Sequence, residues 1–210
     1  MATLLQVKSS IFGDNGNSSQ LANDFVSAWQ QANPDGRVIV RDVTAEPVPH
    51  LSAEHTSAFF TPEADRNDAQ RDIIAYSDKL VGEVRDADVI VLGVPMYNFA
   101  APSQLKSWMD QIARAGVTFQ YTENGPVGLI NNKPAIVFAT RGGLYAETPN
   151  DNQVPFLKQF LGFIGIQDVT FIYAEGVNMG DERKQAALTN ATAQSETHLK
   201  NILEKVAVAA

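Results

Sequence analysis

The sequence predicts an α/β fold, a doubly wound five-stranded parallel sheet with helices on both faces. Three observations predict it. Short, continuous apolar runs recur along the chain, segments with helical apolar spacing separate them, and turn-forming residues mark the junctions. Runs such as Val89–Val94 and Ala135–Ala139 show no polar alternation, which is the pattern of parallel strands buried on both faces.

The elements follow in order. Thr3–Lys8 is a β-branched and aliphatic run, read as the first strand, and Ser9–Ser19 is a polar loop. Leu21, Phe25, Ala28, Trp29 and Ala32 recur at helical spacing, and Asn33-Pro34-Asp35-Gly36 stops that helix. Arg37–Val43 is the second strand. Residues 44–66 form an irregular excursion with Pro47, Pro49, Pro62, His50 and His55, expected to hold one short helix. Ile73, Ile74, Leu80, Val81 and Val84 mark the next helix, and Val89–Val94 is the third strand, ending at Pro95. Pro102 opens a helix with the stripe Leu105, Trp108, Met109 and Ile112, and Gly116 is its expected C-cap. Val117, Phe119 and Tyr121 alternate with polar residues before the turn Asn124-Gly125-Pro126, a small hairpin insertion. Ala135–Ala139 and Val169–Tyr173 are the last two strands, Phe156–Ile164 is a helix apolar nearly all round, and Asp181–Val206 is the closing helix.

Residues 1–210 are thus expected to form a single domain. By precedent, five strands joined by right-handed crossovers take the flavodoxin-like order 2-1-3-4-5, with a ligand crevice beyond the strand C-termini.

Composition narrows the function. The 210 residues include 16 basic and 24 acidic side chains, a formal charge of −8, and no basic stripe, which argues against a nucleic-acid partner. The chain has no cysteine, so disulfides, thiolate nucleophiles and Cys-held metals are excluded. No run approaches the ~18 apolar residues of a membrane span, and the N-terminus shows no basic leader, so no membrane partner and a cytoplasmic location are expected.

The fold directs attention to the loops after the first, third and fourth strands. Ser9–Ser19 carries hydroxyls, amides and two glycines into a helix N-terminus, where free N–H groups and the dipole favour a phosphate. Neither G-x-G-x-x-G nor a P-loop is present, so neutral donors suit a monophosphate held permanently; the alternative is an ordinary capped helix. In Pro95-Met96-Tyr97-Asn98-Phe99, two aromatics flank an amide, suited to wall and edge a flat amphipathic ring such as an isoalloxazine, or else to join the core. Thr140-Arg141-Gly142-Gly143 allows close backbone approach to a ligand or makes a tight turn, with Arg141 as a surface charge.

The motifs together resemble a known family. Lys8-Ser9-Ser10-Ile11, Pro95 to Phe99, Ala113 to Phe119, Tyr121 to Pro126, Arg141-Gly142-Gly143, Phe160 to Gly165 and Ala174-Glu175-Gly176 are similar to those of the FMN-dependent NADH azoreductases, also described as NADH:quinone oxidoreductases. The resemblance runs essentially end to end, and the stretch from Pro95 to Pro126 is its most specific part. It implies a homodimer with one non-covalent FMN per subunit at the interface. Ser10, Gly16, Asn17 and Ser18 would hold the phosphate; Met96, Tyr97, Asn98 and Phe99 would line the ring; Thr140, Arg141, Gly142 and Gly143 would close its other side. Tyr121 and Phe163 would wall an acceptor pocket, reaching across the dimer. NADH or NADPH would reduce the flavin and leave, and a quinone or azo compound would take the same place, in ping-pong order. The cofactor carries that chemistry, so no obligate catalytic acid or base is named and no metal is expected. Gly16 stands where family members often offer a hydroxyl, which leaves one phosphate contact to the backbone, and residues 44–66 match the family less well.

Two alternatives stand beside this reading. An electron carrier on the same fold would bind FMN without a nicotinamide pocket, though the insertion from Phe119 to Pro126 looks like a pocket wall. The family has also carried the label acyl carrier protein phosphodiesterase, but His50, His55 and His198 do not form a metal-ligand spacing, and no G-x-S-x-G elbow is evident. The dimer has an independent argument: a helix bearing Phe156, Phe160, Phe163 and Ile164 around most of its circumference calls for a second surface, or for burial in its own core.

Overall fold

The computed structural model describes the backbone of residues 1–209 and side chains as far as Leu203. In chain order the elements are β1 (Thr3–Lys8), α1 (Asn17–Ala32), β2 (Arg37–Asp42), α2 (Ala53–Phe60), α3 (Asp68–Asp86), β3 (Val89–Pro95), α4 (Ser103–Ile112), β4 (Phe119–Thr122), β5 (Gly125–Gly128), β6 (Ala135–Arg141), α5 (Gln153–Ile164), β7 (Val169–Glu175) and α6 (Asp181–Ala209). Five strands pair in parallel in the order β2-β1-β3-β6-β7, which is 2-1-3-4-5 once the hairpin is set aside. β4 and β5 form that hairpin, a separate antiparallel pair.

The strands form where the sequence is continuously apolar because each sheet face is covered. Leu5, Val7, Ile90, Leu92 and Val137 belong to one core with Leu80 of α3, Trp108 of α4 and Leu157 of α5. Leu4, Val89, Val91, Ile136 and Phe138 belong to the other, with Phe25 and Trp29 of α1 and Ala191 and Ile202 of α6. Successive residues of β1 and β3 therefore bury on opposite sides, and a one-residue slip would exchange the two cores.

Several boundaries differ from expectation. α1 begins at Asn17, so Asn17, Ser18 and Ser19 lie in its first turn instead of a loop. β6 and β7 each run two residues further, and α5 starts at Gln153, because the polar residues there pair with one another (below). α4 stops at Ile112 with Ala113 as its cap; Gly116 lies beyond it at φ +74, its amide bonded to the Phe119 carbonyl. The hairpin turn is Glu123-Asn124, with Thr122 paired to Gly125. The excursion holds α2, capped by the Ser52 hydroxyl, and a 3-10 turn at Glu63–Asp65. Among the described residues no helix is long and apolar enough to cross a membrane.

Candidate functional site

The loops after β1, β3 and β6 meet at the C-terminal edge of the sheet. The Tyr97 hydroxyl lies 3.3 Å from Ser10 Oγ and accepts from the Ile11 amide at 3.3 Å, joining the first two loops by long hydrogen bonds. The Met96 amide donates to the Thr140 carbonyl at 2.8 Å, joining the second and third. The Phe99 and Tyr145 rings meet edge to face, 6.1 Å between centroids.

At the first loop the helix N-terminus is open. Gly16 is the N-cap of α1 and no side chain caps the helix. The hydroxyls of Ser18 and Ser19 are fully buried and have no partner. A buried hydroxyl without a partner costs about 1–3 kcal/mol, and these two stand in the first turn of an uncapped helix. The open N-terminus, with its free amides and dipole, suits an anion such as a phosphate. A side chain at position 16 would set its Cβ 2.0 Å from Ser10 Oγ and 2.7 Å from Ser10 Cβ, so glycine is what lets the Ser10 hydroxyl occupy this turn. Asn17, also predicted here, opens the first turn.

Two further groups brace this loop. Lys8, nearly buried at the end of β1, pairs with Asp14, and Asn23 Nδ2 donates to the same carboxylate at 3.0 Å, so Asp14 is held below the usual carboxylate range, first by Lys8 and then by Asn23. Burial would raise the Asp42 carboxyl, but the Ala45 amide, the Thr44 hydroxyl and amide, and Lys8 together bring it below its ordinary value. The Thr44 hydroxyl also reaches the Ser10 carbonyl, at 3.1 Å. Thr44 was given no site role from sequence, and Lys8 and Ser19, though within the motif and the loop read there, were given no ligand contact.

The second loop is strained. Tyr97 and Ala100 exchange amide–carbonyl bonds of 3.0 and 3.1 Å around Asn98 (φ +48) and Phe99 (φ +68). Asparagine tolerates that region; phenylalanine there costs roughly 1–2 kcal/mol. The strain holds the Phe99 ring at the mouth, 59 % exposed, with Met96 and Tyr97 partly covered beneath it.

The third loop departs most from expectation. Arg141 is no surface charge: its side chain has no solvent exposure. Nε donates to Gln153 Oε1 and Nη1 to Glu175 Oε1, both at 3.0 Å, while Nη2 sits 3.0 Å from Asp151 Oδ2 at an angle outside hydrogen-bond geometry. The guanidinium also lies 5.0 Å from the centroid of the Tyr173 ring, whose phenol burial pushes up. Thr140 is buried beside it, and Gly142 and Gly143 are half-buried at the edge of the crevice. A Cβ at 142 would meet the Asn178 amide nitrogen at 2.7 Å.

Tyr121 and Phe163 are brought together through Phe119, which opens the insertion read from sequence as a pocket wall. Phe119 packs edge-on against Tyr121 (5.4 Å) and at a tilt against Phe163 (4.2 Å). Phe119 and Tyr121 line a recess of about 200 Å³ with Phe59, Phe60 and Arg114, between α2 and the hairpin. No ring contact joins this cluster to Tyr97 or Phe99 among the described residues. On α5, Ile164 is core and Phe156, Phe160 and Phe163 are half-buried against that same core, and the exposed large apolar side chains lie elsewhere, Phe60, Phe99, Tyr121 and Leu144 among them. His50 Nδ1 lies 2.8 Å from Ser107 Oγ, and His55 Nδ1 lies 2.7 Å from Ser52 Oγ.

Comparison with known proteins places this geometry. A family model described as the flavodoxin-like fold matches residues 2–199. A protein of Cellvibrio japonicus named FMN-dependent NADH:quinone oxidoreductase is 54 % identical over 95 % of this chain and 99 % of its own length. One of the same name from Alcanivorax borkumensis is 56 % identical over 92 % of this chain and 96 % of its own. Among solved structures, an azoreductase from Bacillus anthracis superposes with a TM-score of 0.88 at 26 % identity, covering 96 % of this chain and all of that one.

Proposed function

This chain belongs to the flavodoxin-like family, with relatives that are FMN-dependent NADH:quinone oxidoreductases, and on that premise we propose how it works. It is an FMN-dependent oxidoreductase that uses NADH. The finer reading is that NADH and a flat acceptor, a quinone or an azo compound, occupy one place in turn. FMN, when bound, supplies the acceptance and onward transfer of two electrons.

The protein's own residues hold and shape. Ser18 and Ser19, with Ser10 and the backbone of Gly16 and Asn17, hold the phosphate, and their orphaned hydroxyls are the observation that carries this reading. Met96, Tyr97, Asn98 and Phe99 wall the ring, and the backbone from Thr140 to Gly143 closes its other side. Tyr121 and Phe163 wall the acceptor site from the second copy of a homodimer. Exposed Phe60, Phe99, Tyr121 and Leu144 supply apolar surface for such a contact. Residues 1–210 act as one FMN-binding domain, and the absence of cysteine fits a cytoplasmic setting.

The test is a visible spectrum of the purified protein followed by anaerobic NADH. A flavin spectrum that bleaches at once, and returns on adding a quinone, supports the reading and its alternating order. A bound flavin that neither NADH nor NADPH bleaches leaves only an electron carrier, and a protein that takes up no FMN refutes the proposal.

A further inference from the structure

We propose that Arg141 is a positioning residue that sets the width of the ring slot without touching the ligand. The proposal rests on the flavin reading above and deepens it. The family resemblance places Arg141 among the cofactor contacts, but a guanidinium with no exposure, bonded to Gln153 and Glu175 and ion-paired with Asp151, presents no exposed donor to a ligand.

What it does instead follows from its partners. The Glu175 oxygen that accepts from Arg141 also accepts from the Tyr145 amide at 2.7 Å and the Ala146 amide at 2.9 Å. The loop after β6 is therefore pinned by one carboxylate, and that carboxylate is pinned by Arg141. Tyr145, fixed in this way, sets its ring edge against Phe99 on the opposite loop. Gln153 hands the same constraint to β3, donating to the Val94 carbonyl at 3.3 Å just before the ring-facing residues begin. Asp151 accepts from the Gln153 and Val154 amides at 3.1 and 3.0 Å, so the start of α5 is tied to the same point. One buried cation thus gathers the ends of β3, β6 and β7 and the N-terminus of α5, and the loops that would face a flat ring take their separation from it. A site whose supporting groups are loosened binds poorly even when every contacting residue is present.

The test uses Glu175→Gln, which keeps shape and removes the charge that Arg141 holds, with Arg141→Lys as a second variant. FMN and riboflavin, identical in the ring and different in the phosphate, are titrated into the apoprotein, and amide exchange is followed at Tyr145 and Ala146. The expected result is faster exchange at both amides and an affinity loss of about tenfold for both flavins alike, as loosened support of a ring site requires. Loss confined to FMN would overturn the proposal and make Arg141 part of the phosphate site. Unchanged affinity for both, or loosened amides with unchanged affinity, would also overturn it and leave a purely structural ion cluster. A wild-type protein that takes up neither flavin would refute the flavin reading itself, while the exchange data would still decide whether Arg141 holds the loop.

Discussion

At the β1–α1 end of the crevice two hydroxyls, Ser18 and Ser19, are buried with nothing to bind. At the β6–β7 end a buried guanidinium bonds to an amide and to one carboxylate and pairs in charge with a second, its Nη2 left without a hydrogen bond among the described residues. Both ends lie at the same edge of one sheet, both are polar, and both interrupt an apolar core. They differ in how much of their polar capacity is met from within: neither hydroxyl has a partner among the described residues, whereas the guanidinium is bonded through two of its three nitrogens and ion-paired through the third. An unmet hydroxyl costs stability, and the paired cluster makes scaffold. Polar residues near a site are therefore sorted better by their partners than by their position.

The largest expected effect breaks the scaffold end. Arg141→Met leaves the carboxylates of Asp151 and Glu175 buried without their cation, and removing one partner of such a cluster costs about 3–5 kcal/mol. Urea denaturation of the apoprotein should show that loss, and a midpoint within error of wild type would mean that the cluster is not holding the fold.

Ser18→Ala tests the opposite end and should move two quantities in opposite directions. A hydrogen bond to a charged group is worth roughly 1.5–3 kcal/mol, so FMN affinity should fall by about ten- to a hundredfold. Riboflavin affinity should hold, and the apoprotein should be no less stable, because the deleted hydroxyl had no partner. A less stable apoprotein would show that the hydroxyl is structural after all.

Gly16→Ala sharpens the comparison by filling the reserved end. The new Cβ overlaps Ser10, and overpacking of this kind costs about 1–3 kcal/mol. Its thermal midpoint should drop, and Ser10→Gly in the same chain should restore much of it. Failure of that rescue would place the strain elsewhere in the turn.

The smallest effect concerns pH. The Asp42 carboxyl is lowered in the folded protein, so its contribution is fully present above the unfolded value of about 3.9 and is lost as pH falls through the lower folded value. Asp42→Asn should therefore lie closer to wild type in strong acid than at neutral pH. A difference in thermal midpoint that stays constant across that window would exclude the linkage.

Much of the fold was legible because each sheet strand announces itself by local means. Val89–Pro95 is buried along its whole length, as a strand of a parallel sheet covered on both faces is. The start of α1 was less legible, since Asn17, Ser18 and Ser19 are residues that serve loops and first turns equally well. Phe119 joins Tyr121 and Phe163 across more than forty residues of chain, and nothing local distinguishes it from any strand aromatic. Exposure of α5 was overestimated because its phenylalanines find half their cover on the core that also holds Ile164.

By itself the sequence determined the alternation of strands and helices and directed attention to three loops as a candidate ligand site, while the strand order was expected by precedent and is the one observed. The alternation and the loops depend on residues near one another in the chain, where periodicity and turn chemistry act. The tertiary structure alone decided which polar residues are free and which are spent. Arg141 finds Asp151 ten residues away and Glu175 thirty-four away, whereas the hydroxyls of Ser18 and Ser19 find no partner among the described residues. Satisfaction of a buried group is a property of what the fold brings around it, and no stretch of sequence carries that by itself.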